Sequence, residues 1–196
     1  MIFTSFIFLF WFLPAVLPLY LALPTRWRNW ALTIGSFVFY GWWRPHYVAL
    51  MLVSALLDYT CARAMGGMDS GRRRKLYLWV AIAGNLGMLA WFKYANLAFS
   101  TWNEVTPWPV EWEQVLLPIG ISFYTFQSMS YTIDVYRGRV TATRSFPDLL
   151  CYVSMFPQLV AGPIVRYRDI EQQLHRRVVD FRRFSDGVFL FAMGFA

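Results

Sequence analysis

Apolar stretches recur along the chain at about 2–23, 30–43, 45–62, 76–92, 114–133, 149–165 and 187–196, separated by short clusters of basic residues. A helix crossing a bilayer at right angles needs about 20 residues, because a rise of about 1.5 Å per residue must cover about 30 Å of hydrocarbon. The first and fifth stretches reach that length. The second is short, and the third reaches it only by including Asp58. Short helices are viable where neighbours cover their ends. The pattern therefore predicts an all-α fold, a polytopic transmembrane helical bundle. The opening run MIFTSFIFLFWFLPAVLPLYLAL has no basic residues ahead of it and is too long for the core of a signal peptide, so it reads as a retained first transmembrane helix.

Loop charges orient such a bundle. Arg26 and Arg28 follow the first stretch, Arg63 and Arg72–Arg73–Arg74–Lys75 the third, and Arg137, Arg139 and Arg144 the fifth. The alternate loops carry Arg44 and Lys93 together with Glu104, Glu111 and Glu113. Basic loops stay on the cytoplasmic side, which places the amino terminus outside the cytoplasm. Trp27, Trp30, Trp42, Trp43, Trp79, Trp91, Trp102 and Trp108 flank the apolar runs, as interfacial aromatic belts require.

The 149–165 stretch breaks this alternation. A full crossing would place Arg166, Arg168, Arg176, Arg177, Arg182 and Arg183 outside. Either the charge rule fails here, or CYVSMFPQLVAGPIV dips in and returns to the same side. Pro157, Gly162 and Pro163 would interrupt a helix and favour a proline-broken re-entrant segment. Irregular backbone at that depth requires protein or a wet cavity around it. Beyond it, 168–185 reads as an interfacial amphipathic helix, with Ile170, Leu174, Val178 and Phe181 on one face and arginines elsewhere, or as an ordinary connector helix. Either would offer a basic face to lipid headgroups or an acidic partner.

Composition agrees with a membrane protein: 58% of residues are hydrophobic, 20% aromatic and 15% charged, with a mean hydropathy of +0.40. The net charge of +7 could suggest nucleic acid, but the cations sit in loops between apolar runs and form no basic face on a soluble fold. Nucleic-acid binding is therefore not expected. Cys61 and Cys151 lie far apart in or beside apolar runs, so they read as small buried hydrophobes rather than metal ligands or a disulfide.

Polar residues inside the apolar stretches carry the candidate chemistry. In LLPIGISFYTFQSMSYTIDVYRG, residues 116–138, Gln127, Tyr131 and Asp134 follow i, i+4, i+7 spacing and share one helical face, with Ser130 nearby. An ionised aspartate facing lipid at mid-helix would cost about 2.5–3.5 kcal/mol, so this face is expected to turn inward. Asp134 also lies three residues before Arg137, and a salt bridge closing the helix is the plainer alternative. For Gln127 an interhelical hydrogen bond is the plainer role. Asp58 is a second intramembrane carboxylate, with Tyr59 or a neighbouring helix as possible partner. His46 and His175 have no hydrophobic pocket or carboxylate partner visible in sequence, and neither is assigned as a base. No nucleophile elbow, zinc motif, P-loop or dinucleotide turn occurs.

The segment just quoted, followed by FPQLVAGPIVRYRD, resembles the membrane-bound O-acyltransferase family. It is most similar to the bacterial branch that acetylates alginate and transfers D-alanine. MIFTSFIFLFWFLP, RNWALTIGSFVFYGWWRPHY and FSDGVFLFAMGFA extend the likeness across residues 1–196. The resemblance implies acetyl transfer from a cytoplasmic thioester, acetyl-CoA or an acyl carrier acting as substrate with no bound cofactor, to a hydroxyl of an exported polysaccharide. It also implies a multi-pass protein of the bacterial inner membrane, in contact with membrane lipids and with periplasmic acetylation partners. The family's reaction centre is an intramembrane histidine in a tryptophan-rich motif that residues 1–196 do not contain. The chain is thus expected to be the amino-terminal part of a single domain, without catalytic residues and inactive alone. Gln127, Tyr131, Asp134, Gln158, Gly162 and Arg166 would line or brace the cytoplasmic mouth of the acyl tunnel. A channel or transporter half, or a non-catalytic assembly subunit, is the alternative.

Overall fold

Prolines and glycines set the helix boundaries. The computed structural model describes residues 3–42, 44–68, 71–159, 165–177 and 180–195, and among these the regular structure is entirely helical. A π-helical turn at Phe8–Phe12 leads into α1, Leu13–Ala22, which ends where Leu23 becomes extended before Pro24. Pro24 caps α2, Thr25–Gly41, and Pro45 caps α3, His46–Gly66. Proline suits these positions because the first amides of a helix lack partners in any case. α4 runs from Arg72 to Val105 and α5 from Ile121 to Tyr136. α6, Phe146–Ser154, stops at Met155, and α7, Phe156–Leu159, restarts with Pro157 in its first turn. α8 spans Tyr167–His175 and α9 spans Phe181–Phe195.

The core lies where α3, α4, α5 and α6 meet, around Met51, Met65, Tyr124, Tyr131, Leu149 and Tyr152. A second cluster of Phe8, Phe12, Phe39 and Phe156 fastens the first helices to α7, with ring centroids 5.4–6.1 Å apart. Gly120 is essential at the start of α5. Its φ is +80°, and an added Cβ would lie 2.6 Å from the Leu159 carbonyl oxygen. The left-handed backbone and the close approach of α7 both exclude a side chain there.

The basic segments gather at one end of the bundle. Arg74, at the start of α4, donates to the carbonyls of Val135 and Tyr136 at the end of α5. Tyr59, towards the end of α3, donates to the Arg144 carbonyl. The Asn29 amide nitrogen, at the start of α2, donates both to Asp148 Oδ1 (2.6 Å) and to the Leu174 carbonyl (3.1 Å). Asp148 opens α6 and Leu174 closes α8, so the α6–α8 segment begins and ends at the same place. Between these points α7 reaches in as far as Gly120, and the Phe156 amide donates to Ser36 Oγ on α2. The described ends of the segment thus return to one place, as a re-entrant path requires, and the arginines after it lie with the other basic loops. Gly162 and Pro163, two of its expected breaks, lie outside the described residues; the break the structure does describe is at Met155. At the other end, Tyr47 donates to the Leu116 carbonyl, and Asn96 holds Trp112 and Val115 of the 106–118 segment.

Several helices differ from the hydropathy pattern. Among the described residues two, α3 and α4, are long and apolar enough to cross a membrane. The first stretch gives a shorter apolar helix, Phe8–Ala22, because prolines 14 and 18 and the π turn interrupt its regular ladder. α4 extends well past residue 92 to 34 residues, about 50 Å. Lys93 does not stop it, since a charged side chain near a helix end can reach the interface. The 114–133 run becomes helical only after Gly120. The single helix expected over 168–185 is instead α8 and α9. Ile170 and Leu174 pack inward on the core, whereas Phe181 is exposed on α9; Val178 lies outside the described residues.

Candidate functional site

Two polar regions flank α5, one closed within the bundle and one reaching a cavity. The first is a seam between α3, α4 and α5. Asp58 is fully buried and accepts hydrogen bonds from Ser128 Oγ (2.5 Å), Thr132 Oγ1 (2.6 Å) and Asn85 Nδ2 (2.8 Å). Ser54 donates in turn to Asn85 Oδ1 at 2.6 Å. Three donors converge on one carboxylate, so its partners are these side chains and not Tyr59, which bonds elsewhere. The seam was readable in principle. Ser54/Asp58 and Ser128/Thr132 are two polar pairs at i, i+4 inside apolar helices, each placing two groups on one face.

The second region joins α5 to the re-entrant segment. Gln127, buried, donates from Nε2 to the Tyr152 carbonyl (2.9 Å) and to Gln158 Oε1 (3.3 Å). Tyr152 donates to the Val165 carbonyl at 2.9 Å and packs edge-on against Tyr167, which also meets Tyr131. Tyr131 is buried and its hydroxyl accepts from the Thr143 amide (3.0 Å). Burial pushes the Tyr167 phenol above its ordinary pKa. Asp134 is buried at the end of α5, and its ion partner is Arg139 at 3.9 Å rather than Arg137. The turn after Tyr136 accounts for this: the Arg139 amide returns to the Asp134 carbonyl at 2.9 Å.

Gln158 also lines a cavity of about 480 Å³ at the basic end, together with Tyr20, Gln173, Arg176, Arg177 and Arg183. Leu32, Met155, Ile170 and Leu174 form its apolar wall. The structure thus joins Gln127 to Gln158 directly and links it to Tyr131 through Tyr152 and Tyr167. Asp134 sits apart with Arg139. Arg166 caps α8 and is exposed, and Gly162 lies outside the described residues. Two further features were not legible beforehand. Tyr20 on α1 meets Arg177, and His175 finds a carboxylate, with Nδ1 at 3.7 Å from Asp148 Oδ2. Both pairs join residues more than 25 positions apart, and no local spacing announces them. His46 stacks edge-on with Tyr47 at the start of α3. No group of three or more candidate metal ligands occurs among the described residues.

Buried polar seams inside an apolar helical bundle with one basic end define a helical membrane protein that carries polar chemistry within its core. The relatives give that class a narrower identity. The chain is 40% identical, over its entire length, to the probable alginate O-acetylase AlgI of Azotobacter vinelandii, of which it covers 40%. It is 41% identical to the protein of the same name from Pseudomonas putida, covering 41% of it. It is 27% identical over 99% of its length to a peptidoglycan O-acetyltransferase of Helicobacter pylori, covering 43% of that protein. The chain spans about 40% of the length of the curated relatives it matches. No family profile and no solved structure matches. The chain is homologous over its full length to these O-acetylases, which fits the membrane-bound O-acyltransferase resemblance carried by its two long motifs.

Proposed function

We propose that this chain is the amino-terminal part of a membrane-bound O-acetyltransferase that takes an acetyl group from a cytoplasmic thioester and passes it to a hydroxyl of an exported polysaccharide, alginate being the first candidate. The observation that carries this reading is the identity of about 40% along the whole chain to proteins named alginate O-acetylase. The gathered arginines support it further, since they orient the re-entrant mouth towards the cytoplasm, where thioester donors are made, and leave the amino terminus outside a bacterial inner membrane.

In this reading the 196 residues supply a wall and a mouth. Acyl transfer to a hydroxyl needs a base within hydrogen-bond reach of the acceptor and a path that keeps water from the thioester. His46 and His175 sit at the two ends of the bundle, outside its core, and neither is proposed as that base. Gln127 and Gln158, clasped across α5 and the α6–α7 break, brace the mouth. Tyr131 backs that clasp through Tyr167 and Tyr152, and Asp134 stands apart from it with Arg139; periplasmic acetylation proteins would receive the product side.

The gene in its full encoded length, expressed in an alginate-producing strain lacking its own O-acetylase, tests this. Ester-bound acetate should return to the exported polymer, and Gln158→Leu should lower it without lowering membrane expression. Polymer that stays unacetylated while the protein is abundant would overturn the alginate reading; wild-type acetylation by Gln158→Leu would remove Gln158 from the mouth.

A further inference from the structure

The cavity between α1, α8 and α9 holds three cations and no carboxylate. Arg176, Arg177 and Arg183 line it, and no Asp or Glu is among the lining residues. Among the described residues the ion pairs are Arg139–Asp134, Arg168–Asp169 and His175–Asp148, so none of the three cavity arginines is neutralised by a neighbour. Arg177 is also held in place. Its Nε donates to the Gln173 carbonyl at 3.0 Å, its Nη1 donates to Tyr20 Oη at 3.4 Å, and its guanidinium lies 5.6 Å from the Tyr20 ring centre. Arg28 lies over the same ring at 5.5 Å and donates to the Leu23 carbonyl at 3.0 Å. A guanidinium fixed by a carbonyl and a phenol keeps donors free in a set direction, which favours planar, multidentate recognition of an anion.

The apolar part of the lining is Leu32 on α2, Met155 at the helix break, and Ile170 and Leu174 on α8. A volume of about 480 Å³ lies within the range of about 300–1,000 Å³ typical of small-ligand sites, and exceeds what a bare inorganic anion fills. We infer that this cavity binds the phosphate-bearing head of an amphiphile, with the arginines on the phosphate and the first part of its tail along Leu32, Met155, Ile170 and Leu174. Two sources share that chemistry, an anionic phospholipid headgroup and the phosphates of a pantetheine-type thioester. The inference stands whether or not the acetyl acceptor is alginate, because it concerns binding alone.

The test uses the full-length protein in phosphatidylcholine nanodiscs, with phosphatidylglycerol and coenzyme A as separate probes. Retained lipid is read by native mass spectrometry and coenzyme A by equilibrium binding. The wild type should retain phosphatidylglycerol over phosphatidylcholine, or bind coenzyme A, with affinity falling as salt rises. At about fivefold per arginine, the triple change R176Q/R177Q/R183Q should weaken binding about a hundredfold. R168Q, which alters an exposed arginine already paired with Asp169, should bind as the wild type does. Phosphatidylglycerol that coenzyme A cannot displace identifies the lipid as the source; displacement identifies the thioester head. R183Q alone, which leaves the Arg177–Tyr20 contact intact, serves if the triple variant does not fold, and should lose about fivefold. Equal retention of the two lipids with no coenzyme A binding, or wild-type affinity in R183Q and the triple variant, overturns the inference.

Discussion

The Asp58 seam and the arginine cavity are both polar regions of an apolar bundle, yet they are built on opposite terms. In the seam one carboxylate meets three donors, and Asn85 is satisfied in turn by Ser54 and Asp58. In the cavity three guanidiniums meet no carboxylate, and the walls open to the basic end of the protein. A low-dielectric interior makes unpaired polar groups costly, so a closed, fully paired network serves to register helices against one another. Cations without a carboxylate partner add nothing comparable to stability and keep their charge available to a ligand. The contrast separates what holds α3, α4 and α5 together from what the protein offers to other molecules.

Four substitutions would break or sharpen that contrast. Asp58→Ala should have the largest effect, leaving three donors unpaired in the core and costing on the order of 3 kcal/mol or more. Fluorescence-detected size-exclusion profiles in detergent should show loss of folded protein, and a wild-type melting temperature would show the seam to be dispensable. Gly120→Ala comes next. It strains a left-handed residue and pushes α7 away from α5, at a cost of about 2 kcal/mol; a lower melting temperature, with accelerated proteolysis near Met155, would report it. Gln127→Leu removes one interhelical clasp, and such bonds in membranes average about 0.6 kcal/mol with an upper range near 1.7. The protein should therefore still be expressed, with a small fall in melting temperature and reduced acetyl transfer. A large loss of folded protein would move Gln127 into the same class as Asp58. Arg168→Gln should be the mildest, within about 0.5 kcal/mol, because an exposed pair between adjacent residues contributes little; thermal melts should superimpose on the wild type.

Much of this architecture was legible beforehand, and the exceptions are informative. Hydropathy located the apolar segments, and the excess arginines after residue 165 pointed to a segment that turns back. The Asn29 amide, bonding Asp148 and Leu174 at once, is the structural form of that turn. A salt bridge to Arg137 was the alternative reading for Asp134, but the turn at Gly138 carries Arg139 round to the carboxylate instead. The 168–185 helix was misjudged because a shared periodicity cannot reveal that α8 ends at His175 and a separate helix begins at Phe181. Tyr20 gave no signal at all: its role depends on Arg177, 157 residues away.

The order of apolar and basic segments along the chain determined that it is a helical membrane protein with one cationic end. The reason is local: each apolar run must leave water, and each arginine must stay near it, wherever the rest of the chain goes. Which polar groups would be silenced in pairs and which would stand open was decided only by tertiary packing. Hydrogen bonds act over about 3 Å, and whether Asp58 meets Asn85, or Arg177 meets no carboxylate, depends on how whole helices are placed.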